Sequence, residues 1–158
     1  MEFALSSLAE SEAYYAFAQV LIPRPVAWVL TDNGAAAVSG DPANRWNIAP
    51  FSYFNAITSA PPMVMFSIGN GMAGREKDTH RNLRARSACT ICLASADQAS
   101  AVQATADELP PGIGEARHAG LELSDWSGPL PRIAAAPVAM ACTATQFTRV
   151  GNTEQIVV

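Results

Sequence analysis

Asn47-Ile48-Ala49-Pro50-Phe51-Ser52-Tyr53-Phe54-Asn55 is the stretch on which the reading turns, because Asn47, Ser52 and Asn55 interrupt an otherwise apolar, strand-like run. Buried polar side chains need partners, and a polar planar ligand would supply them. Pro50 has no N–H, so it is expected to interrupt a ladder and leave neighbouring backbone groups facing a ligand. The plainer reading is an edge strand with a proline bulge.

Working outward, Val26-Ala27-Trp28-Val29-Leu30-Thr31 is β-branched and aromatic and runs into Asp32-Asn33-Gly34. This is the pattern of a strand entering a hairpin, with a return strand over 35–39. Residues 46–58 and 63–69 read as two more strands, separated by Ser59-Ala60-Pro61-Pro62. Upstream, Tyr14, Tyr15, Phe17 and Ala18 suit a short helix capped by Ser6 or Ser11, which must stop before Pro23-Arg24-Pro25. Downstream, the glycine-rich residues 69–75 lead to a helix capped by Asp78 or Thr79 that runs to Arg86. A strand over 88–94 follows, then a helix across 99–106 capped by Asp97 and stopped by Pro110-Pro111-Gly112. Residues 115–137 read as irregular, and two strands are expected at 138–147 and 153–158. Strands outnumber helices, which predicts a mainly β fold with small helices, a closed or partly closed antiparallel barrel rather than a doubly wound sheet.

The 158 residues suit one domain spanning 1–158. A 49% apolar fraction beside 15% charged residues excludes a disordered chain. The net charge of −4 provides no field for nucleic-acid phosphates or an anionic membrane. No apolar run is long enough to span a bilayer, and the N-terminal residues lack signal-peptide character, so a cytoplasmic location is expected. Three cysteines, Cys89, Cys92 and Cys142, make no disulfide framework and fit reducing surroundings. The chain ends on Ile156-Val157-Val158 within an expected strand, so a C-terminal part of the domain is expected to be missing.

Gly74-Arg75-Glu76-Lys77-Asp78-Thr79-His80-Arg81-Asn82 sets a lysine and a threonine at a helix N-terminus, whose free N–H groups favour an anion such as phosphate. Asp78 would repel that anion, and it is reconciled by assigning Asp78 to the cap and Lys77 to the anion. An ordinary capped surface helix is the plainer alternative. Arg24, held extended between two prolines, could aim its guanidinium at a carboxylate or phosphate, or be a solvated turn residue. Cys89-Thr90-Ile91-Cys92 has redox or metal spacing, but residues three apart on a strand point to opposite faces, which favours structural burial. His80 and His118 have no partner at zinc-ligand spacing. Gly69-Asn70-Gly71-Met72-Ala73-Gly74 fits G-x-G-x-x-G without the βαβ frame that motif requires.

Taken together, Pro23-Arg24-Pro25-Val26-Ala27-Trp28-Val29, the 47–55 block, Pro61-Pro62, and Lys77-Asp78-Thr79 with Asn82 resemble the flavin reductase-like, flavoredoxin-type family in order and spacing. Weaker similarity continues through Glu108-Leu109-Pro110-Pro111 and Ala119-Gly120-Leu121 to Pro137-Val138-Ala139. The resemblance implies an FMN-binding split β-barrel, Greek-key-like, that forms a homodimer with FMN near the subunit interface and is reduced in many members by NADH or NADPH. It implies a flavin ring and ribityl chain lined by Thr31 and by Asn47, Ile48, Ala49, Pro50, Ser52, Tyr53, Phe54 and Asn55, largely through backbone groups. Lys77, Asp78, Thr79 and Asn82 would surround the phosphate, and Arg24 would join the cofactor site. No protein nucleophile is needed, since the hydride chemistry belongs to the flavin. The resemblance implies an NAD(P)H:flavin oxidoreductase, with a separate monooxygenase as one possible electron-accepting partner. The alternatives are a non-catalytic FMN-binding electron carrier of the same fold, or a like-shaped barrel holding haem or pyridoxal phosphate. The irregular segment 39–46 and the missing end are the two departures from the family pattern.

Overall fold

Ala27 to Leu30 are apolar without alternation, and a strand of that kind needs cover on both faces. The structure, a computed structural model describing residues 4–71 and 74–158, provides it. Strand β1 (Ala27–Asp32) and strand β5 (Ala88–Leu93) are the inner strands of one sheet, flanked by β2 (Trp46–Phe51) and β8 (Val138–Thr143) in the order β2-β1-β5-β8. A second sheet has the order β3-β4-β10-β9, from β3 (Phe54–Ser59), β4 (Pro62–Gly69), β9 (Gln146–Val150) and β10 (Thr153–Val157). All these pairs are antiparallel, and the fold is a split β-barrel with small helices.

Period-two alternation divides β1 and β5 between two cores. Ala27, Val29, Cys89 and Ile91 face the barrel interior with Phe51, Phe66, Ile68 and Ile156. Trp28, Leu30 and Cys92 face outward onto Ile48, Ala116 and Ile133. Helices α1 (Glu10–Val20), α2 (Asp78–Arg86), α3 (Ala99–Ala104) and α4 (Glu115–His118), with the small strands β6 (Leu123–Ser124) and β7 (Arg132–Ile133), complete the chain. The opposite facing of Cys89 and Cys92 follows the strand argument. The same register also sets Cys89 across from Cys142, and their hydrogen bond together with burial pushes the Cys89 thiol up.

Several expectations are corrected. No return strand follows Asp32-Asn33-Gly34. The Asp32 carboxylate accepts from the Gly34 N–H (2.7 Å), the chain turns through a 3₁₀ segment at Gly34–Ala36, and β1 pairs instead with β2, Asp32 opposite Trp46. The irregular loop between them is closed by Asn33 N–H to Arg45 C=O (2.8 Å) and ends in a 3₁₀ turn, Pro42–Arg45, capped by Asp41. Residues 46–58 are not one strand, because the chain leaves the first sheet after Phe51, bends at Ser52 and Tyr53, and enters the second as β3. Pro50 does not interrupt a ladder either. It pairs opposite Trp28 within an unbroken register, since β2 is an outer strand whose alternate N–H positions face away from β1.

The other differences are at element ends. Helix α1 starts at Glu10, with Glu12 accepting from the Ala9 N–H (2.8 Å), so neither Ser6 nor Ser11 caps it. Helix α2 has Lys77 as its N-cap residue, not Asp78 or Thr79. The α3 region opens with a 3₁₀ turn in which Gln98 accepts from the Ser95 N–H (2.9 Å), which displaces Asp97 from the capping role. Residues 138–147 divide at Ala144 and Thr145 into β8 and β9, which lie in different sheets. Residues 115–137 are not wholly irregular, since they hold α4, β6 and β7. The final strand β10 is an inner strand, paired to β4 on one side and β9 on the other. Met72 and Ala73 of the glycine-rich stretch lie outside the described residues. Among the described residues no helix is long and apolar enough to cross a membrane.

Candidate functional site

The N-terminal turn of α2 meets the outer strand β2 because two short polar side chains bridge them. The Asn47 amide donates to Thr79 Oγ1 (2.8 Å) and to Thr31 Oγ1 (3.2 Å). Asn82, one turn along α2, donates to Thr31 Oγ1 (3.1 Å) and Asn33 Oδ1 (2.8 Å), and Arg81 also reaches Asn33 Oδ1 (3.1 Å). All of Thr31, Asn33, Asn47, Thr79 and Asn82 are buried. A satisfied polar network of this kind holds α2 in one register on the sheet.

Above it lies a cleft walled by Asn47, Ala49 and Pro50 of β2, by Lys77, Asp78 and Thr79 of α2, and by Glu115 of α4. Gly71, Arg75 and residues 105–110 complete its rim. None of the ion pairs among the described residues engages Lys77, whose Nζ stands 6.0 Å from the Phe51 ring centre. Asp78 does different work from the capping expected of it. One of its oxygens accepts from Arg81 (2.6 Å) and the other from the Gly112 N–H (2.8 Å), so it ties the 110–112 loop to α2.

That loop delivers the group which sequence reasoning missed. Gly112 adopts φ +78° against Ala36, a conformation that disfavours side chains. At Gly114 a Cβ would lie 2.2 Å from the Ala43 carbonyl oxygen and 2.6 Å from that of Trp46, so only glycine lets α4 approach β2 this closely. The next residue, Glu115, is 8% exposed, and its Oε2 accepts from the Ile48 N–H at 2.6 Å. Burial is the main cause that pushes its carboxyl from 4.5 up to about 7, assisted by the charge of Asp78 and opposed by the Ile48 N–H. A G-x-G-E run after two prolines was the available sequence signal, and it read as a helix stop.

The donors along the outer edge of β2 are thereby accounted for. The Trp46 N–H goes to Ala43 C=O, that of Ile48 goes to Glu115, and Pro50 has none. Of the residues expected to line a cofactor, Asn47, Ala49, Pro50, Lys77, Asp78 and Thr79 come together in this cleft. Thr31 and Asn82 lie in the network beneath it, and the Ile48 side chain sits in the outer core. Ser52, Tyr53, Phe54, Asn55 and Arg24 are not part of the cleft wall. Phe54 packs on the barrel core, and Asn55 accepts from the following N–H of Ala56 (2.9 Å). The Arg24 guanidinium lies 5.5 Å from the Tyr53 ring centre, with Tyr14 beyond it at 6.0 Å, and its Nη1 is buried without a partner. His80 is likewise no bare surface residue, since it contacts both Glu76 and Glu154.

Two four-stranded antiparallel sheets, with a polar cleft where a helix N-terminus meets an outer strand, define a split-barrel domain. The chain belongs to the flavin reductase like domain family, whose model matches residues 19–158. It is 33% identical to an uncharacterized protein of Deinococcus radiodurans, over 98% of this chain and 66% of that one, and so spans just under two thirds of that relative. Its fold matches nitrilotriacetate monooxygenase component B from Bacillus cereus with a TM-score of 0.85 at 24% identity, covering 99% of this chain and 77% of that one. It also matches 2-nitrobenzoate 2-nitroreductase from Pseudomonas fluorescens with a TM-score of 0.82 at 23% identity, covering 99% and 72%.

Proposed function

We propose that this domain binds FMN and moves electrons from NADH or NADPH to flavin or to a downstream acceptor. The observation that carries the reading is the opening of Lys77 and Thr79, at the N-terminus of α2, onto the same cleft as Asn47, Ala49 and Pro50. The residues fit the phosphate end of FMN. Lys77 provides a point charge, and the first turn of α2 provides free N–H groups. Thr79 accepts from Asn47 and so keeps its own hydroxyl proton to donate. Asp78 is compensated by Arg81. Because the outward donors of β2 are occupied, the strand meets the ligand through its side chains and carbonyl groups, and Thr31 and Asn82 act by holding Asn47 and α2 in place. Bound FMN would supply the redox chemistry, which asks no nucleophile of the protein.

A homodimer is part of the proposal. Tyr14, Tyr15, Val20, Leu21 and Ile22 near α1, with Ile57 on β3, leave large apolar side chains exposed that a second copy would cover. Arg24, Tyr53 and Asn55 would reach the cofactor from that side. A separate monooxygenase component is the proposed electron acceptor, in line with the likeness to a monooxygenase component B. Three free thiols favour the reducing cytoplasm.

Titration with FMN, followed by flavin fluorescence, and then assay of NADH and NADPH oxidation tests the reading. The expected result is saturable FMN binding and flavin-dependent consumption of one nucleotide. Consumption of neither, with FMN bound, overturns the reductase part; failure to bind FMN overturns the whole. Lys77→Ala is expected to weaken FMN about tenfold or more while leaving riboflavin within about twofold, since a phosphate contact concerns only the phosphorylated ligand. Equal losses would remove Lys77 from the phosphate.

A further inference from the structure

Electron transfer through flavin makes no use of Glu115, yet this buried carboxyl shares a wall with Lys77 and Thr79. Its charged neighbours divide clearly. From α2 come Lys77 and Asp78, the latter paired with Arg81. From the segment after α3 come Asp107, bonded to His118 (2.7 Å), and Glu108, paired with Arg75 (3.7 Å). On its own helix are His118 and Arg117, and Arg117 pairs with Asp41 beside Arg45 and the Pro42–Arg45 turn (3.1 Å). Asp78 and Glu108 each have an arginine partner, and Asp107 has a histidine. Glu115 has none among the ion pairs of the described residues; its carboxyl is met by the Ile48 N–H and its own backbone N–H, with His118 acting on it through charge.

We propose that Glu115 takes up one proton from solvent when a phosphate monoester binds at Lys77 and Thr79, so that ligand entry exchanges a buried carboxylate for a neutral carboxyl. This rests on the reading of the cleft as an FMN phosphate site. The proton adds to the oxygen that Ile48 does not occupy, and no bond within the protein breaks. Oε2 remains the acceptor for the Ile48 N–H, while the new O–H becomes a donor into the cleft. The direction follows from like-charge repulsion, since an incoming dianion favours the protonated form of any nearby carboxyl. Burial has already raised this carboxyl to about 7, so the proton is within reach at neutral pH.

The test is calorimetry of FMN binding to the full chain at pH 8, in two buffers of different ionisation enthalpy, with riboflavin and with Glu115→Gln as controls. Glutamine keeps a carbonyl for Ile48 but cannot titrate. Expected is an uptake of about half to one proton for FMN on the unaltered protein, and close to none for riboflavin or for the variant. FMN affinity of the unaltered protein should also fall, relative to Glu115→Gln, on the order of tenfold between pH 7 and 9. The phosphate's own ionisation is common to both proteins and cancels. Equal uptake for FMN and riboflavin, or for both proteins, overturns the proposal while leaving FMN binding intact. Absence of FMN binding to the unaltered protein overturns the cleft assignment, and the proton uptake with it.

Discussion

Replacing Glu115 by glutamine should stabilise the ligand-free protein at alkaline pH relative to acid pH, by an amount that the structure sets. The carboxyl is 8% exposed, and burial raises it from 4.5 to about 7. Between those values the folded state holds a proton that the unfolded state has released. The stability contributed by the neutral carboxyl is therefore fully present below about pH 4.5 and is lost as pH rises through about 7. At roughly 1.4 kcal/mol per pH unit, the loss is about 3 kcal/mol. Glutamine resembles the protonated form, retains the bond from Ile48 and does not titrate. Urea unfolding of both proteins from pH 4.5 to 9 measures the effect. The histidines and other carboxylates are common to both, so the stability difference isolates residue 115. It should move by about 3 kcal/mol in favour of the variant across that range, most steeply between pH 5 and 7.5, with unchanged m-values. Parallel stability curves would refute the argument, because they would mean that the carboxylate is solvated in the folded state.

Two further substitutions probe the framework around the cleft. Asn82→Ala removes one of two donors from each of Thr31 Oγ1 and Asn33 Oδ1, leaving Asn47 and Arg81 on them, and should cost about 2 kcal/mol in urea unfolding for the two lost bonds; a change under about 0.5 kcal/mol would mean that the remaining donors or water replace the amide. Gly114→Ala drives a methyl into the Ala43 and Trp46 carbonyls, so α4 must move away from β2. It is expected to destabilise by about 3 kcal/mol and, where the protein still folds, to abolish the difference in pH dependence that Glu115→Gln produces. Retention of that difference would show that Glu115 reaches Ile48 without the close approach.

The barrel was legible because β1 and β5 are short apolar runs that carry their own signal, and because the family blocks span the chain. The errors cluster where local chemistry competes with long-range pairing. Asp32-Asn33-Gly34 is good hairpin chemistry, yet Asn33 and Asn44 close a longer loop through contacts that no local pattern encodes. Residues 46–58 and 138–147 each look like one strand because a change of sheet needs only a two-residue bend, which leaves hydrophobicity unaltered. Half of the candidate site was visible for a similar reason. A lysine and threonine opening a helix are local features, whereas the burial of Glu115 depends on a glycine meeting two carbonyls some seventy residues away.

The outer strand β2 raises a general difficulty for a site of this kind. An edge left open to a ligand is also open to pairing with another strand. Here every outward donor is disposed of by a different device: the C=O of a 3₁₀ turn for Trp46, a carboxyl for Ile48, and the absence of an N–H at Pro50. The edge therefore offers carbonyl groups without offering a ladder, which admits a ligand with donors of its own and discourages a strand. Of the three devices only the carboxyl can change state, and the two protonation states of Glu115 differ in what the cleft presents while the Ile48 bond is kept in both. That is why the side chain closing the sheet edge is also the one placed to sense what enters the cleft.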